Sequence, residues 1–228
     1  MSNGRVLVVD DEPQIRRFLK PALTAAGYEV LTAETGQEAL RLLASNAPDV
    51  VVLDLGLPDM DGKDVLREAR AFSRTPIIVL SARDREAEKI LALDAGADDY
   101  VEKPFGIGEL MARLRVAMRH AVGGAEAAVV RCGPVTIDFD KRLVTRNGET
   151  VRLTPKEYDL LAILARQAGR VVTHRQILGT VWGPAHQEDT QYLRVFVGQL
   201  RGKIEEDSSA PKLIQTEPGI GYRLIADD

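Results

Sequence analysis

The chain has little of several residue types on which particular functions depend. Its single cysteine, Cys132, excludes an intrachain disulfide and a cysteine-rich metal site. Its three histidines, His120, His174 and His186, are too scattered to form a metal-binding motif. No stretch approaches the ~18 consecutive apolar residues of a membrane span, and the N-terminus leads directly into a predicted strand without the pattern of a signal peptide. We therefore expect a cytoplasmic protein without membrane insertion.

Neither sign of charge dominates, since the chain of 228 residues has 34 acidic and 30 basic residues. This length allows one or two domains. Residues 1–122 carry more acids than bases, which suits a site where carboxylates surround a cation. Residues 123–228 are balanced. Any case for nucleic-acid binding by the second part must therefore depend on where its basic residues lie.

Asp54 stands where a predicted buried strand ends. It follows the apolar residues 50–53 and precedes residues 55–62, which are rich in glycine, proline and aspartate. This pattern predicts a parallel strand followed by a loop. Ligands of open parallel sheets bind beyond the carboxyl ends of the strands, so Asp54 could meet a ligand or accept a phosphoryl group. For one isolated aspartate, a simple loop turn would be the better interpretation.

Three further strand ends carry polar residues that complement Asp54. Residues 5–9 lead to Asp10 and Asp11, residues 76–80 lead to Ser81, and residues 98–101 lead to Lys103. Clustered carboxylates repel one another and favour a hard cation such as Mg²⁺. An aspartate can act as a nucleophile and form an aspartyl phosphate, whose oxygens a cation, a hydroxyl and an ammonium could hold. The four strand ends together favour this chemistry over a turn.

Helical periods alternate with these strands as far as residue 121. In the first helix, for example, Ile15, Phe18, Leu19 and Leu23 lie on one face. Five successive βα units predict a doubly wound α/β domain with a five-stranded parallel sheet in the flavodoxin-like order 2-1-3-4-5. This domain spans residues 1–121, and the small residues 122–127 form a linker.

Residues 128–228 predict a smaller α+β domain. Short strands at residues 129–132, 135–138, 143–146 and 150–153 include an Asn147-Gly148 turn. Thr154, Pro155 and Glu157 then mark the start of a helix with a capping box. A second helix runs from Thr173 to Trp182, a third from about residue 189 to 205, and strands at residues 212–216 and 222–225 close the chain. This order is typical of a winged helix-turn-helix.

The third of these helices has the pattern of a recognition helix. Its core face holds Leu193, Phe196, Val197, Leu200 and Ile204. The predicted DNA-binding residues are Thr190, Gln191, Arg194, Gly198 and Arg201 of this helix, together with Arg223 of the final hairpin. Such arginines can bind guanine edges or neutralise phosphates. An ordinary solvated face with a tolerated glycine is the alternative.

With these motifs, the chain resembles the OmpR/PhoB family of two-component response regulators, whose receiver domains are CheY-like. The resemblance implies that Asp54 is the phosphoacceptor, and that Asp10, Asp11, Asp54 and the Gly56 carbonyl bind Mg²⁺. It also implies that Ser81 and Lys103 bind the phosphoryl group, that Tyr100 reports it by rotating inward, and that the Lys103-Pro104 peptide is cis.

The family also dimerises through its fourth helix, fifth strand and fifth helix. Matching charges are present in this chain: Lys89 could pair with Glu109, Asp94 with Arg115, and Asp99 with Arg113 across a two-fold axis. The alternative is that these charges pair within one chain or are solvated, in which case each pair contributes little.

We therefore expect a phosphorylation-activated transcriptional regulator. Its partners would be a sensor histidine kinase, double-stranded promoter DNA, a second copy of the chain and RNA polymerase. Several stretches resemble regulators of potassium-uptake operons, among them residues 15–19, 92–100, 106–110, 181–184 and 219–223. The rival is a Mg²⁺-dependent phosphohydrolase of the haloacid dehalogenase type, but Gly56 stands where such enzymes have a second acid. We therefore do not expect an enzyme.

Overall fold

The chain forms two units, Met1–Gly124 and Ala125–Asp228. The structure is a computed structural model that describes residues 3–82, 86–122 and 128–227. Apart from residue 122, the predicted linker at residues 122–127 lies outside the described residues. Within these described ranges, no helix combines the length and the apolar character needed to cross a membrane.

In the first unit, apolar runs form strands and amphipathic segments form helices, in strict alternation. The elements are β1 (Arg5–Val9), α1 (Pro13–Ala25), β2 (Glu29–Ala33), α2 (Gly36–Asn46), β3 (Val50–Asp54), α3 (Gly62–Phe72), β4 (Ile77–Ala82), α4 (Glu86–Asp94), β5 (Asp99–Lys103) and α5 (Ile107–Val122). All neighbouring strands are parallel, in the order β2-β1-β3-β4-β5. The predicted doubly wound sheet and its strand order are confirmed.

The middle of this sheet is covered on both faces, which explains its nearly continuous apolar strands. Helix α1 packs against α5, whereas α3 packs against both α2 and α4. Leu19 and Leu23 of α1 are fully buried, but Phe18 is 48% exposed. The buried stripe of this helix is therefore narrower than its apolar pattern.

Local signals fix the loops at the carboxyl edge of the sheet. Thr35 caps α2 by accepting the Glu38 N–H at 3.2 Å. Asp61 caps α3 by accepting the Lys63 N–H at 2.9 Å. The Lys103-Pro104 peptide is cis, as predicted.

The second unit consists of a four-stranded sheet, three helices and a three-stranded sheet. Its elements are β6 (Val129–Cys132), β7 (Val135–Asp138), β8 (Leu143–Arg146), β9 (Glu149–Thr150), α6 (Pro155–Arg166), β10 (Val171–Thr173), α7 (His174–Val181), a 3-10 turn (Pro184–His186), α8 (Thr190–Ile204), β11 (Ile214–Glu217) and β12 (Gly221–Leu224). The sheet orders are β6-β7-β8-β9 and β10-β12-β11, and both are antiparallel. The predicted winged helix-turn-helix architecture is confirmed.

Two strands of this unit differ from the sequence prediction. The strand expected at residues 150–153 is Glu149–Thr150 instead. Pairing starts directly after the Asn147-Gly148 turn, where both residues have positive φ, and the chain then leaves the sheet to enter α6. Strand β10 was not predicted at all. It has only three residues and pairs with β12, which lies far away in the sequence.

The helices of the second unit follow their sequence signals. Thr154 and Glu157 form the predicted capping box, with the Thr154 N–H donating to Glu157 Oε2 at 2.7 Å. On α8, the buried residues are Leu193, Val197, Leu200 and Ile204, and Phe196 is partly buried. The opposite side of α8 is therefore the side available to a ligand.

Candidate functional site

Lys103 joins the acidic residues at the carboxyl edge of the parallel sheet. Its Nζ lies 2.7 Å from Asp54 Oδ1 and 3.2 Å from Asp10 Oδ2. Glu12 Oε1 is 3.6 Å from the same ammonium. Asp10 and Glu12 follow β1, whereas Asp54 ends β3 and Lys103 ends β5. The carboxyl ends of these strands meet at one edge because the strands are parallel. The structure thus brings Asp10, Asp54 and Lys103 together.

The electrostatics of this site depend on the balance between its carboxylates and one ammonium. Burial raises the pKa of the Asp10 carboxyl, although the Glu12 N–H at 2.8 Å and the charge of Lys103 oppose the shift. Burial also works against the charged form of Lys103, but hydrogen bonds and charge from Asp54 and Asp10 outweigh it and raise the pKa of the ammonium. A cation at this position therefore stabilises carboxylates that would otherwise repel each other.

The remaining predicted metal ligands lie in the loops beside this cluster. Asp11 is exposed, and Gly56 donates its N–H to Asp54 Oδ2 at 2.8 Å. Across the described parts of the chain, no three acidic, histidine or cysteine side chains are grouped so that they could hold a metal ion. The structure therefore brings together two of the three predicted carboxylates, with Lys103 between them.

Ser81 and Tyr100 lie on the neighbouring strands. Ser81 is 3% exposed in β4, where it is in register with Glu102 of β5. Tyr100 is also buried, and Lys89 Nζ lies 5.3 Å from the centroid of its ring. Both side chains are thus inside the fold, on adjacent strands of the sheet.

Four of the six predicted dimer residues on α4, β5 and α5 have ion-pair partners within the single chain. Arg113 Nη1 lies 2.9 Å from Asp99 Oδ2, and Arg113 Nη2 lies 3.1 Å from Glu109 Oε1. The ammonium of Lys89 is buried and pairs with Glu102. For Asp99 and Arg113, intramolecular pairing is therefore the arrangement in this structure. Of the other two predicted residues, Asp94 is half-buried and Arg115 is exposed.

The open side of α8 holds four of the predicted DNA-binding residues. Gln191 and Arg194 are exposed, Thr190 is half-buried at the first position of the helix, and a Cβ added at Gly198 would meet no atom within 4 Å. Val195 lies on the same side and is 55% exposed. Its apolar side chain carried no signal for DNA binding, because apolar residues of an amphipathic helix are expected in the core.

The other two residues predicted to contact DNA, Arg201 and Arg223, form hydrogen bonds within the domain. Arg201 donates to the Ile214 carbonyl at 2.6 Å and to Thr216 Oγ1 at 2.9 Å, which ties α8 to β11. Arg223 was predicted to contact DNA from the surface of the hairpin. This prediction needs correction, because Arg223 is buried and only 6% exposed. Its guanidinium is bound by Glu217 and by the Gly169 carbonyl. Glu217 thereby neutralises the charge of Arg223.

One contact beside the acidic cluster had no signal in the sequence. Arg16 of α1 donates to the backbone carbonyl of Asp10 and to the carboxylate of Glu34. It thereby connects the loop after β1 with the loop before α2. Arg16 lies in an ordinary amphipathic helix, and only the fold shows that its side chain reaches the site.

The matches to known proteins agree with this division into two units. Residues 6–115 match the family described as the response regulator receiver domain, and residues 148–224 match the C-terminal domain of transcriptional regulatory proteins. The parallel sheet with its acidic edge and the helix-turn-helix with its hairpin therefore define a receiver domain followed by a winged-helix DNA-binding domain.

Similar proteins match along nearly the whole chain. The KDP operon transcriptional regulatory protein KdpE of Escherichia coli K12 is 52% identical over 96% of this chain and 98% of its own length. KdpE of Mycobacterium tuberculosis H37Rv is also 52% identical, over 97% of this chain and 99% of its own. The crystal structure of DrrB, an OmpR/PhoB homologue from Thermotoga maritima, is 31% identical, with a TM-score of 0.50, and covers 99% of this chain and 100% of its own. The chain belongs to the OmpR/PhoB family of response regulators.

Proposed function

We propose that this chain is a phosphorylation-activated transcriptional regulator of a potassium-uptake operon and that Asp54 is its phosphoacceptor. The observation that carries the proposal is the contact of Lys103 Nζ with Asp54 Oδ1, at 2.7 Å, beside the buried Asp10. The potassium operon is suggested by the similarity to two proteins that are named for the KDP operon or as KdpE.

The chemistry follows from the charges at the edge of the sheet. A sensor histidine kinase would present a phosphohistidine, and a carboxylate oxygen of Asp54 would attack its phosphorus as the bond to the histidine breaks. Lys103 would then neutralise a phosphoryl oxygen, and the Ser81 hydroxyl would hold another. Both residues are held in strands, which fixes their positions before transfer.

The same residues suit a Mg²⁺ ion. The carboxylates of Asp10, Asp11 and Asp54 and the carbonyl of Gly56 would hold it, since Mg²⁺ prefers oxygen ligands. Its charge would neutralise the oxygens of the phosphoryl group. The fit is supported by Lys103, whose ammonium contacts both Asp10 and Asp54 where uncompensated carboxylates would repel.

Phosphorylation would favour a dimer that binds paired DNA half-sites. Lys89 would pair with Glu109, Asp94 with Arg115 and Asp99 with Arg113 across the two-fold axis. Arg113 would have to exchange its partners within the chain for those of a second copy. Tyr100, whose ring lies near Lys89 and Arg113, would couple this exchange to Ser81. A preference of a few kcal/mol for the dimer-competent face is sufficient for such a switch.

The DNA-binding surface would be the open side of α8. Gln191, Arg194 and Gly198 lie on it, and Thr190 lies at its first position. A dimer bound to promoter DNA would then contact RNA polymerase. The balanced charge of this domain supports a role for pairing, because a weakly attracted single domain gains more affinity from a second half-site.

A phosphohydrolase that turns over at Asp54 is disfavoured by Gly56. Such an enzyme needs a second acid two residues after its nucleophile, and here the residue at that position offers only its backbone N–H to Asp54. We therefore propose that the chain stores the phosphoryl group as a signal and is not a metabolic enzyme.

The test is phosphorylation of the full-length protein by phosphoramidate and Mg²⁺, followed by intact mass spectrometry. Wild type should gain one phosphoryl group, and Asp54→Asn should gain none. Incorporation by Asp54→Asn would contradict the assignment of the phosphoacceptor. Asp54-dependent release of phosphate from sugar phosphates, with many turnovers, would favour the hydrolase.

A further inference from the structure

The loop that follows the phosphoacceptor is bound to a helix that precedes it in the chain. Asp59 lies in the loop between β3 and α3. Its Oδ1 accepts the N–H of Gly36 at 2.8 Å, and its Oδ2 accepts the N–H of Gln37 at 3.0 Å. These two residues begin α2, and the first N–H groups of a helix have no partner within it. Asp59 therefore caps α2 from outside, in addition to the cap that Thr35 provides.

The same loop leads back to Asp54 through backbone contacts. Gly56 and Asp61 form an antiparallel bridge, and the Gly62 N–H donates to the Leu55 carbonyl at 3.0 Å. The Gly56 N–H in turn donates to Asp54 Oδ2 at 2.8 Å. A continuous series of contacts thus runs from the start of α2, through the loop, to the carboxylate of the phosphoacceptor.

Close packing leaves this loop little freedom to adjust. A Cβ at Gly62 would lie 2.6 Å from Leu55 Cα and 2.9 Å from the Asp54 carbonyl oxygen. A Cβ at Gly36 would lie 2.5 Å from Met60 Cγ, so Met60 packs directly against the first residue of α2. Because close-packed groups pass displacements to their neighbours, a movement at Asp59 would be transmitted to the turn that contains Gly56.

We infer that Asp59 is a positioning residue for the phosphoacceptor. By binding two N–H groups of α2, it holds the loop in which the Gly56 N–H donates to the Asp54 carboxylate. Asp59 acts through the loop and does not touch the reacting atoms. This inference rests on the proposed function of Asp54. Phosphoryl transfer is sensitive to such support because it depends mainly on positioning.

The experiment measures the rate of phosphorylation of the full-length protein by phosphoramidate as a function of Mg²⁺ concentration. It yields a maximal rate and an apparent Mg²⁺ affinity. In Asp59→Asn, one carboxylate oxygen becomes an amide that cannot accept a backbone N–H. We expect the maximal rate, the Mg²⁺ affinity or both to fall about tenfold, the lower end of the effect of losing an outer support of a metal site.

The matched control is Thr35→Ala, which removes the other cap of α2 and leaves the loop after β3 unchanged. It should lower the melting temperature but keep the wild-type rate and Mg²⁺ affinity. An Asp59→Asn protein within twofold of wild type would overturn the inference. Equal slowing by Asp59→Asn and Thr35→Ala would also overturn it, because the effect would then come from the stability of α2.

A second variant decides the question if Asp59→Asn does not fold. Gln37→Pro removes one of the two N–H donors and leaves Asp59 intact, and proline is tolerated in the first turn of a helix. A folded Gln37→Pro protein should be slowed severalfold, and a wild-type rate would overturn the inference. Failure of the proposed function is recognised separately, as phosphorylation that persists in Asp54→Asn.

Discussion

Replacing Arg223 with alanine should unfold the winged-helix domain at a much lower denaturant concentration. The guanidinium is buried, and its Nε donates to Glu217 Oε1 at 2.9 Å while its Nη1 donates to the Gly169 carbonyl at 2.6 Å. Alanine removes both bonds. It also leaves the carboxylate of Glu217 without this partner, inside a sheet that joins β12 to both β10 and β11.

The expected loss in the free energy of unfolding can be worked out from these two hydrogen bonds. A hydrogen bond to a charged group contributes about 1.5–3 kcal/mol. The Glu217 side chain is 20% exposed, so water partly compensates its lost partner and the lower part of the range applies. The total is about 3 kcal/mol. With a urea dependence of about 2 kcal/mol per molar, the midpoint of unfolding should fall by about 1.5 M.

The assay can be confined to this domain because Trp182 is the only tryptophan of the chain. Its ring lies 5.1 Å from the Phe196 ring within the second unit, so its fluorescence reports the unfolding of that unit. Arg194→Ala is the matched control, since this exposed arginine should contribute less than about 0.5 kcal/mol to stability but much of the DNA affinity. A wild-type midpoint for Arg223→Ala together with weakened DNA binding would refute the reasoning.

Three other predictions follow from single residues. Gly198→Ala should raise the stability of α8 by about 1 kcal/mol, since a Cβ there meets no atom within 4 Å. Gel-shift titrations of this variant should show weaker DNA binding. An unchanged DNA affinity would mean that DNA does not approach this position. Burial, and then the charge of Asp227, raises the pKa of the Cys132 thiol to about 12, so only about one molecule in 10⁴ is ionised at pH 8; a thiol reagent should label the protein only after unfolding, and rapid labelling of the folded protein would contradict this. Burial raises the pKa of Glu157, but the hydrogen bond from Lys203 at 2.6 Å and those of the capping box outweigh it and lower the pKa overall. Wild type should therefore be more stable than Glu157→Gln by a constant amount above the usual glutamate pKa of 4.5, and this difference should shrink as the pH falls through the lowered pKa. Denaturation curves at several pH values measure the difference. A difference that grows on acidification would contradict the predicted direction.

The architecture was predictable where local patterns determine it. The parallel sheet of the first domain has apolar strands that end in polar loops, so the convergence of Asp10, Asp54 and Lys103 follows from the topology. Strand β10 could not be predicted in this way, because its three residues carry little pattern and its partner β12 is nearly fifty residues away. Its existence depends on a tertiary contact.

The limits of the site predictions have a similar cause. Helical periodicity placed Arg201 on the exposed flank of α8, but a long side chain there can reach the carbonyl of Ile214 on β11. Arg223 alternates with the buried residues of its strand in the sequence, yet β12 lies in the middle of its sheet and is buried on both faces. Asp59 resembled an ordinary loop aspartate, because α2 lies far from it in sequence.

The most direct test of the central claim is the affinity for the promoter of a potassium-uptake operon, measured with and without phosphoramidate and Mg²⁺. Wild type should bind the promoter at least tenfold more tightly after phosphorylation, whereas Asp54→Asn should bind equally under both conditions. If phosphorylated and unphosphorylated wild type bind with the same affinity, Asp54 does not control DNA binding and the account is contradicted.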